Sequence, residues 1–196
     1  MVEIEPVRLA GRWRDGRALD VHTVSSTYLG HDEFGHARFD TKRSAMGDLL
    51  YRMKYQADGT VIREVADAAA AFVRTWWPEV EVLVPVPPSR ARALQPVLEV
   101  GAEIARGLEI EFSPVCVRRT REVPQLKDVF DYDERWRLLD GLHEVDEVMV
   151  AGRRVLLFDD LFRSGATLNA ITGALYDQGR ARDVYALTLT RTRSKQ

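Results

Sequence analysis

Asp159 and Asp160 stand side by side, and Leu161-Phe162-Arg163 separates them from Ser164-Gly165-Ala166-Thr167. Two adjacent carboxylates accept hydrogen bonds from neutral hydroxyls or hold a metal-bound anion. Like charge keeps them from gripping a phosphate directly. A hydroxyl and glycine turn at the start of a helix does the opposite: its free N–H groups and the positive end of the helix dipole suit a phosphate. A diol site beside a phosphate site describes a ribose 5-phosphate. A plain strand-turn-helix, with Asp and Ser as helix caps, is the alternative for the same residues. A second set of anion-binding groups lies upstream, in Pro85-Val86-Pro87-Pro88-Ser89-Arg90-Ala91-Arg92. Prolines hold such a loop off a sheet, and Arg gives forked donors to phosphate oxygens. Ser89, Arg90 and Arg92 are therefore candidates for binding a pyrophosphate, against the alternative of a rigid surface turn with solvated Arg.

The elements that must position these groups read as a mostly parallel α/β sheet. Val155-Leu156-Leu157-Phe158 is a continuous apolar run, the pattern of a strand buried on both faces, and it ends at the two carboxylates. The run from Ala166 to Tyr176 predicts a helix, with Gly179 as its cap. From residue 80 onward, strands and helices alternate. Strands are expected at Val80–Val84, Phe112–Arg118, Val155–Phe158 and Val184–Leu189, with a helix over 93–107. Ligands in such sheets sit outside the carboxyl ends of the strands. Residues 119–137 are polar and irregular, a long loop and candidate lid. It contains Phe130, Tyr132 and Trp136, which suit either an acceptor base or loop anchoring. Residues 138–150 have no clear pattern.

Upstream, Val7–Arg14 and Arg17–Leu29 flank Asp15-Gly16, a hairpin signal. His31 to His36 is a polar loop whose His and acid spacing fits no metal-ligand motif. Met46, Leu49, Leu50 and Met53 mark one helical face. A second helix covers 61–77 and stops before Pro78, with Trp76 and Trp77 as core or interface anchors. The expected division is residues 1–44 as a β-hairpin extension and candidate hood, and 45–196 as the α/β domain.

The composition narrows the rest. With 196 residues, 45% apolar and 30% charged, the chain suits one globular domain with a full core. A net charge of −2 gives no basic field for nucleic acid, and no basic-aromatic ladder supports direct contact with it. Of 28 Lys and Arg, only Lys42, Lys54, Lys127 and Lys195 are Lys. Cys116, the single cysteine, excludes an internal disulfide and a cysteine-rich zinc site, and its apolar flanks predict a buried strand residue. A cytoplasmic setting is expected, with no signal peptide and no apolar run of about 18 residues to cross a membrane.

The strand, the acid pair and Ser164-Gly165-Ala166-Thr167 resemble the phosphoribosyl pyrophosphate (PRPP) motif of the type I phosphoribosyltransferases. Several further stretches are similar to the ComF-like branch of that family. They are Pro85 to Arg92, the strand end Arg118-Arg119-Thr120-Arg121 with Gln125, the segment Glu134–Arg137, and Met53-Lys54-Tyr55. The resemblance covers residues 45 to 190. It implies a parallel sheet flanked by helices and transfer of ribose 5-phosphate from PRPP to a nitrogenous base or related acceptor. That is glycosyltransferase chemistry in nucleotide metabolism, with Mg²⁺ bound mainly through PRPP and no set of protein metal ligands. It implies that Asp159 and Asp160 bind the ribose hydroxyls, and that Arg163, Ser164, Gly165, Ala166 and Thr167 wrap the 5-phosphate. Ser89, Arg90 and Arg92 would hold pyrophosphate, with Arg121, Gln125 and Lys127 on a flexible loop. A homodimer is compatible with this reading.

Three features depart from the branch. Arg163 replaces a small hydroxyl residue, Arg92-Ala93-Leu94-Gln95 replaces Arg-Gly-Phe-Asn, and one cysteine cannot build the branch's N-terminal zinc module. The alternative is a non-catalytic PRPP or nucleotide sensor, linked to DNA uptake or repair.

Overall fold

The computed structural model of the chain describes residues 2–77, 79–88, 95–121, 138–139 and 141–193. Its centre is a six-stranded sheet in the order β1-β2-β10-β9-β5-β6. These strands are Val7–Arg8 (β1), Asp15–Val21 (β2), Asp183–Arg191 (β10), Arg154–Phe162 (β9), Val82–Pro85 (β5) and Glu111–Phe112 (β6). All neighbours pair in parallel except β1, which is antiparallel to β2. Alternation along β9 divides the core. Leu156 and Phe158 face one side, packed with helices α1 (Ala45–Gln56), α2 (Ile62–Trp76) and α3 (Pro96–Leu108). Val155 and Leu157 face the other, packed with Leu168, Ile171 and Leu175 of the helix Ala166–Asp177. That helix is numbered α5, after the short α4 (Glu147–Val150). Burial on both faces is why the strand reads as an unbroken apolar run.

Two small antiparallel pairs lie outside this sheet. One joins β7 (Val117–Arg119) to β8 (His143–Val145). The other joins β3 (Thr23–His31) to β4 (Ala37–Arg43) through the polar His31–His36 turn. Because β2 runs parallel to β10 and ends at Val21, this β3–β4 hairpin leaves from the carboxyl end of the sheet. It exposes Tyr28, Leu29, Phe34 and Phe39.

The structure moves several expected boundaries. Asp15-Gly16 lies inside β2 and not at a turn. Asp15 accepts hydrogen bonds from Gly16 N, Arg17 Nη1 and Trp76 Nε1. A Cβ on Gly16 would lie 2.2 Å from Trp13 Nε1. The pair therefore serves packing, and the hairpin outside the sheet is residues 23–43. The expected strand Phe112–Arg118 is broken: β6 ends at Phe112, the chain turns through Ser113 to Cys116, and β7 pairs elsewhere. Cys116 is buried, as read, but in this bend and not in a strand. After α5 the left-handed residue is Arg180. Gly179 is needed for space, since its Cβ would lie 2.8 Å from the Leu175 carbonyl. Trp76 and Trp77 pack against Tyr185, with ring centroids 6.3 and 4.6 Å away, the core-anchor role expected of them.

Candidate functional site

Strand β9 runs on past its apolar core. It stops pairing with β5 at Phe158, opposite Pro85, but stays paired with β10 through Phe162. Asp159 and Asp160 therefore lie within the strand on one edge and beyond the sheet on the other. The gap beside them is where β5 ends, because Pro87 and Pro88 follow Val86, whose N–H still bonds the Phe158 carbonyl at 2.8 Å. Proline has no N–H to extend the ladder. Both carboxylates are half-buried.

Strand alternation separates their surroundings. Asp160 is in phase with Leu156 and Phe158, on the α1 side, and there Lys54 Nζ meets its Oδ1 at 2.7 Å. The two side chains are only 16% and 15% exposed, so this ion pair is largely shielded from water. Asp159 is in phase with Val155 and Leu157, and its Oδ1 accepts the Asp160 backbone N–H at 2.8 Å. Burial, then the neighbouring Asp160 charge, pushes the Asp159 carboxyl up to about 7. The pair is thus asymmetric near neutral pH: one carboxylate is held by an ammonium, and the other is on the edge of protonation.

The candidate phosphate loop follows directly. Arg163 and Ser164 are exposed, Gly165 and Ala166 are buried, and Thr167 is half-buried. Gly165 has φ +75°. A side chain there would be strained by that backbone and would also place Cβ 2.8 Å from the Phe162 ring. This turn starts α5 with no side-chain cap on its N-cap residue and no acidic residue in its first turn. Ser164 Oγ reaches Ala166 N only at 3.5 Å. Backbone N–H groups at the positive end of a helix, beside two carboxylates, are groups whose chemistry suits a phosphate and a diol.

A third component comes from the N-terminal half. His22, between β2 and β3, places Nδ1 3.2 Å from Thr190 Oγ1, and its backbone N–H bonds the Arg191 carbonyl. Burial lowers its pKa first, and then the positive charges of Lys54 and Arg43; Asp160 opposes this and Arg163 adds to it. The base of the hairpin, α1 and the phosphate loop therefore share one electrostatic corner.

No protein-family model matches the chain. It is 26% identical over 154 residues to the competence protein ComFC of Bacillus subtilis (strain 168), covering 78% of this chain and 62% of the relative's length. Among solved structures it is similar to the glutamine PRPP amidotransferase from B. subtilis, complexed with ADP and GMP. That match has a TM-score of 0.51 and 16% identity, covering 81% of this chain and 34% of that one. The Giardia lamblia adenine phosphoribosyltransferase, complexed with 9-deazaadenine, gives a TM-score of 0.49 and 14% identity over 86% and 94% of the two chains. The chain has the type I phosphoribosyltransferase fold and is similar in sequence to a ComF protein.

The structure gathers Asp159, Asp160 and residues 163–167 at one sheet end. Ser89, Arg90, Arg92, Gln125 and Lys127 lie outside the described residues, as do Glu134–Arg137 and most of the candidate lid. Arg121 is exposed, with Nη2 3.4 Å from the Leu138 carbonyl. Lys54 and His22 were not among the expected site residues. The only sequence signal for Lys54 was the similarity of Met53-Lys54-Tyr55 to the ComF-like branch, and for His22 there was none. Among the described residues no helix is long and apolar enough to cross a membrane.

Proposed function

We propose that the chain transfers ribose 5-phosphate from PRPP to a nitrogenous acceptor, with release of pyrophosphate. The observation that carries this is the direct succession of a carboxylate pair, a left-handed glycine turn and an uncapped helix start at the carboxyl end of a parallel sheet. The pair suits the ribose diol and the turn suits the 5-phosphate. The amidotransferase of similar fold is named for PRPP and is complexed with the nucleotides ADP and GMP, which supports the reading.

In this reading Asp159 and Asp160 orient the ribose, while residues 163–167 fix its phosphate end. The C1–oxygen bond to pyrophosphate breaks as an acceptor nitrogen attacks C1, and the acceptor proton leaves to solvent. Ser89, Arg90 and Arg92 would take the leaving pyrophosphate, and Arg121, Gln125 and Lys127 would close over it. Among the described residues no three His, Cys, Asp or Glu side chains converge on a metal position. Mg²⁺ would be held mainly through PRPP oxygens and water. When bound, it neutralises charge on the leaving group. Residues 23–43 would be the hood over the acceptor, because they leave the same sheet end.

Calorimetry with PRPP and Mg²⁺ tests the reading. Wild type should bind, and Asp160→Asn should bind at least about tenfold more weakly, the loss expected for a charge-assisted hydrogen bond. No binding by wild type would remove both transfer and sensing. Pyrophosphate release with a panel of bases then separates an enzyme from a sensor.

A further inference from the structure

Asn169 lies in the first turn of α5, and its backbone N–H donates to the Gly165 carbonyl at 2.8 Å. Helical side chains lean toward the helix start, so its amide folds back over the candidate phosphate turn. There Nδ2 lies 3.4 Å from the point a Gly165 Cβ would take, and the Phe162 ring lies 2.8 Å from the same point. An amide and a ring thus flank Gly165, and two adjacent residues from the N-terminal part of the chain hold both. The Arg12 backbone N–H donates to Asn169 Oδ1 at 2.7 Å. That bond fixes the amide's orientation, because only its oxygen accepts. The Trp13 ring meets Phe162 edge to face, with centroids 6.3 Å apart and an interplanar angle of 84°. Trp13 is itself buried, and its Nε1–H donates to the Leu9 carbonyl at 3.0 Å. Arg14 N then bonds the Val184 carbonyl at 2.8 Å, which ties this segment to β10.

We infer that residues 9–14 are a brace that sets the shape of the phosphate turn, and that Asn169 is a positioning residue for the phosphate end of the ligand. This rests on the ribose 5-phosphate reading of the site and adds a part that the turn itself does not supply. A left-handed glycine lets the turn form, but it also leaves the backbone other shapes to visit. Donors bind an anion best when they are already aimed at it. The brace acts on Gly165 from two side chains at once, through a hydrogen bond between residues 157 apart in sequence. It holds the N–H groups that follow Gly165 in place before a phosphate arrives.

Proton–nitrogen NMR on the full chain, following the Gly165 and Ala166 amides, tests the brace. In wild type both resonances should shift saturably with inorganic phosphate and with ribose 5-phosphate. Asn169→Ala should move the Gly165 resonance before any ligand is added. It should then weaken both ligands by the same factor, about fivefold or more, the effect of one neutral hydrogen bond. Ala is the better helix former, so this variant should stay folded. Phe162→Leu, which takes the ring from the other side of Gly165, should weaken both ligands likewise. Arg12→Ala removes the guanidinium but keeps the backbone N–H, so it should cost less than Asn169→Ala. Affinities of Asn169→Ala within about twofold of wild type would overturn the brace alone. So would a loss confined to ribose 5-phosphate, or one that Arg12→Ala matches. Wild type whose amides shift with neither ligand would instead remove the ribose 5-phosphate reading, and this inference with it.

Discussion

Replacing Lys54 by Met removes the ion-pair partner that Asp160 has among the described residues. The ion pair is 2.7 Å long, and its side chains keep about one sixth of their surface in contact with water. Removing one partner of a fully buried pair costs about 3–5 kcal/mol, whereas an exposed pair contributes at most about 1 kcal/mol. The Lys54–Asp160 pair lies closer to the first limit, so Lys54→Met should destabilise the fold by roughly 2–3 kcal/mol at pH 8. For a chain of this size that is a fall in Tm of roughly 4–12 °C. The penalty should shrink on acidification. Lys54 lowers the Asp159 pKa, so its loss lets Asp159 keep its proton more readily, and at pH 5 only one charge is left without a partner. Urea unfolding at pH 5 and pH 8, on wild type, Lys54→Met, Asp160→Asn and the double variant, measures both the cost and the coupling. A cost below about 0.5 kcal/mol at pH 8, or one equal at the two pH values, would show that the pair behaves as a surface contact. The electrostatic description of the site would then be wrong.

Asp159→Asn tests the other half of the dyad. The native Asp159 carboxyl is raised above its unfolded value, so its contribution to stability is complete below about pH 4 and is lost as pH rises through about 7. Relative to wild type, the Asn variant should gain stability across that window by up to about 1.4 kcal/mol per pH unit, and the gain should level off above it. His143, whose pKa burial lowers to about 4, and His22 act with the opposite sign; they are common to both proteins and cancel in the difference. Parallel stability curves would refute the raised carboxyl. Gly165→Ala should cost about 1–2 kcal/mol in urea unfolding, from its positive φ and the close Phe162 ring, and should also weaken ribose 5-phosphate binding measured by calorimetry. An unchanged affinity would place the phosphate elsewhere.

The parts legible in the sequence are those whose signal is local. The unbroken apolar run of β9 marks a strand covered on both faces, and the Ser164–Thr167 turn with α5 follows from a few adjacent residues. The Asp15-Gly16 turn signal misled because the same two residue types also serve packing under Trp13 and bonding to Trp76. The end of β9 was placed too early because its carboxylates look like strand terminators. Pairing with β10 nevertheless carries the strand four residues further, to Phe162.

The contact that organises the site joins residues 106 apart in sequence, and no periodicity reports it. Its logic is visible only once β2 is known to lie in the parallel sheet. That placement sets the hairpin base at the carboxyl end, and Ser44 ties α1 there by bonding the Val21 carbonyl and capping Gly47 N. Gly47 lets the helix pass close to the His22 carbonyl, from which a Cβ would be only 2.2 Å away. From that start, Lys54 falls near the helix end that meets β9, on the side where alternation points Asp160. Residues before the α/β pattern thus supply the ion-pair partner of one carboxylate within it, and a ligand reading drawn from the Asp pair alone misses that contact.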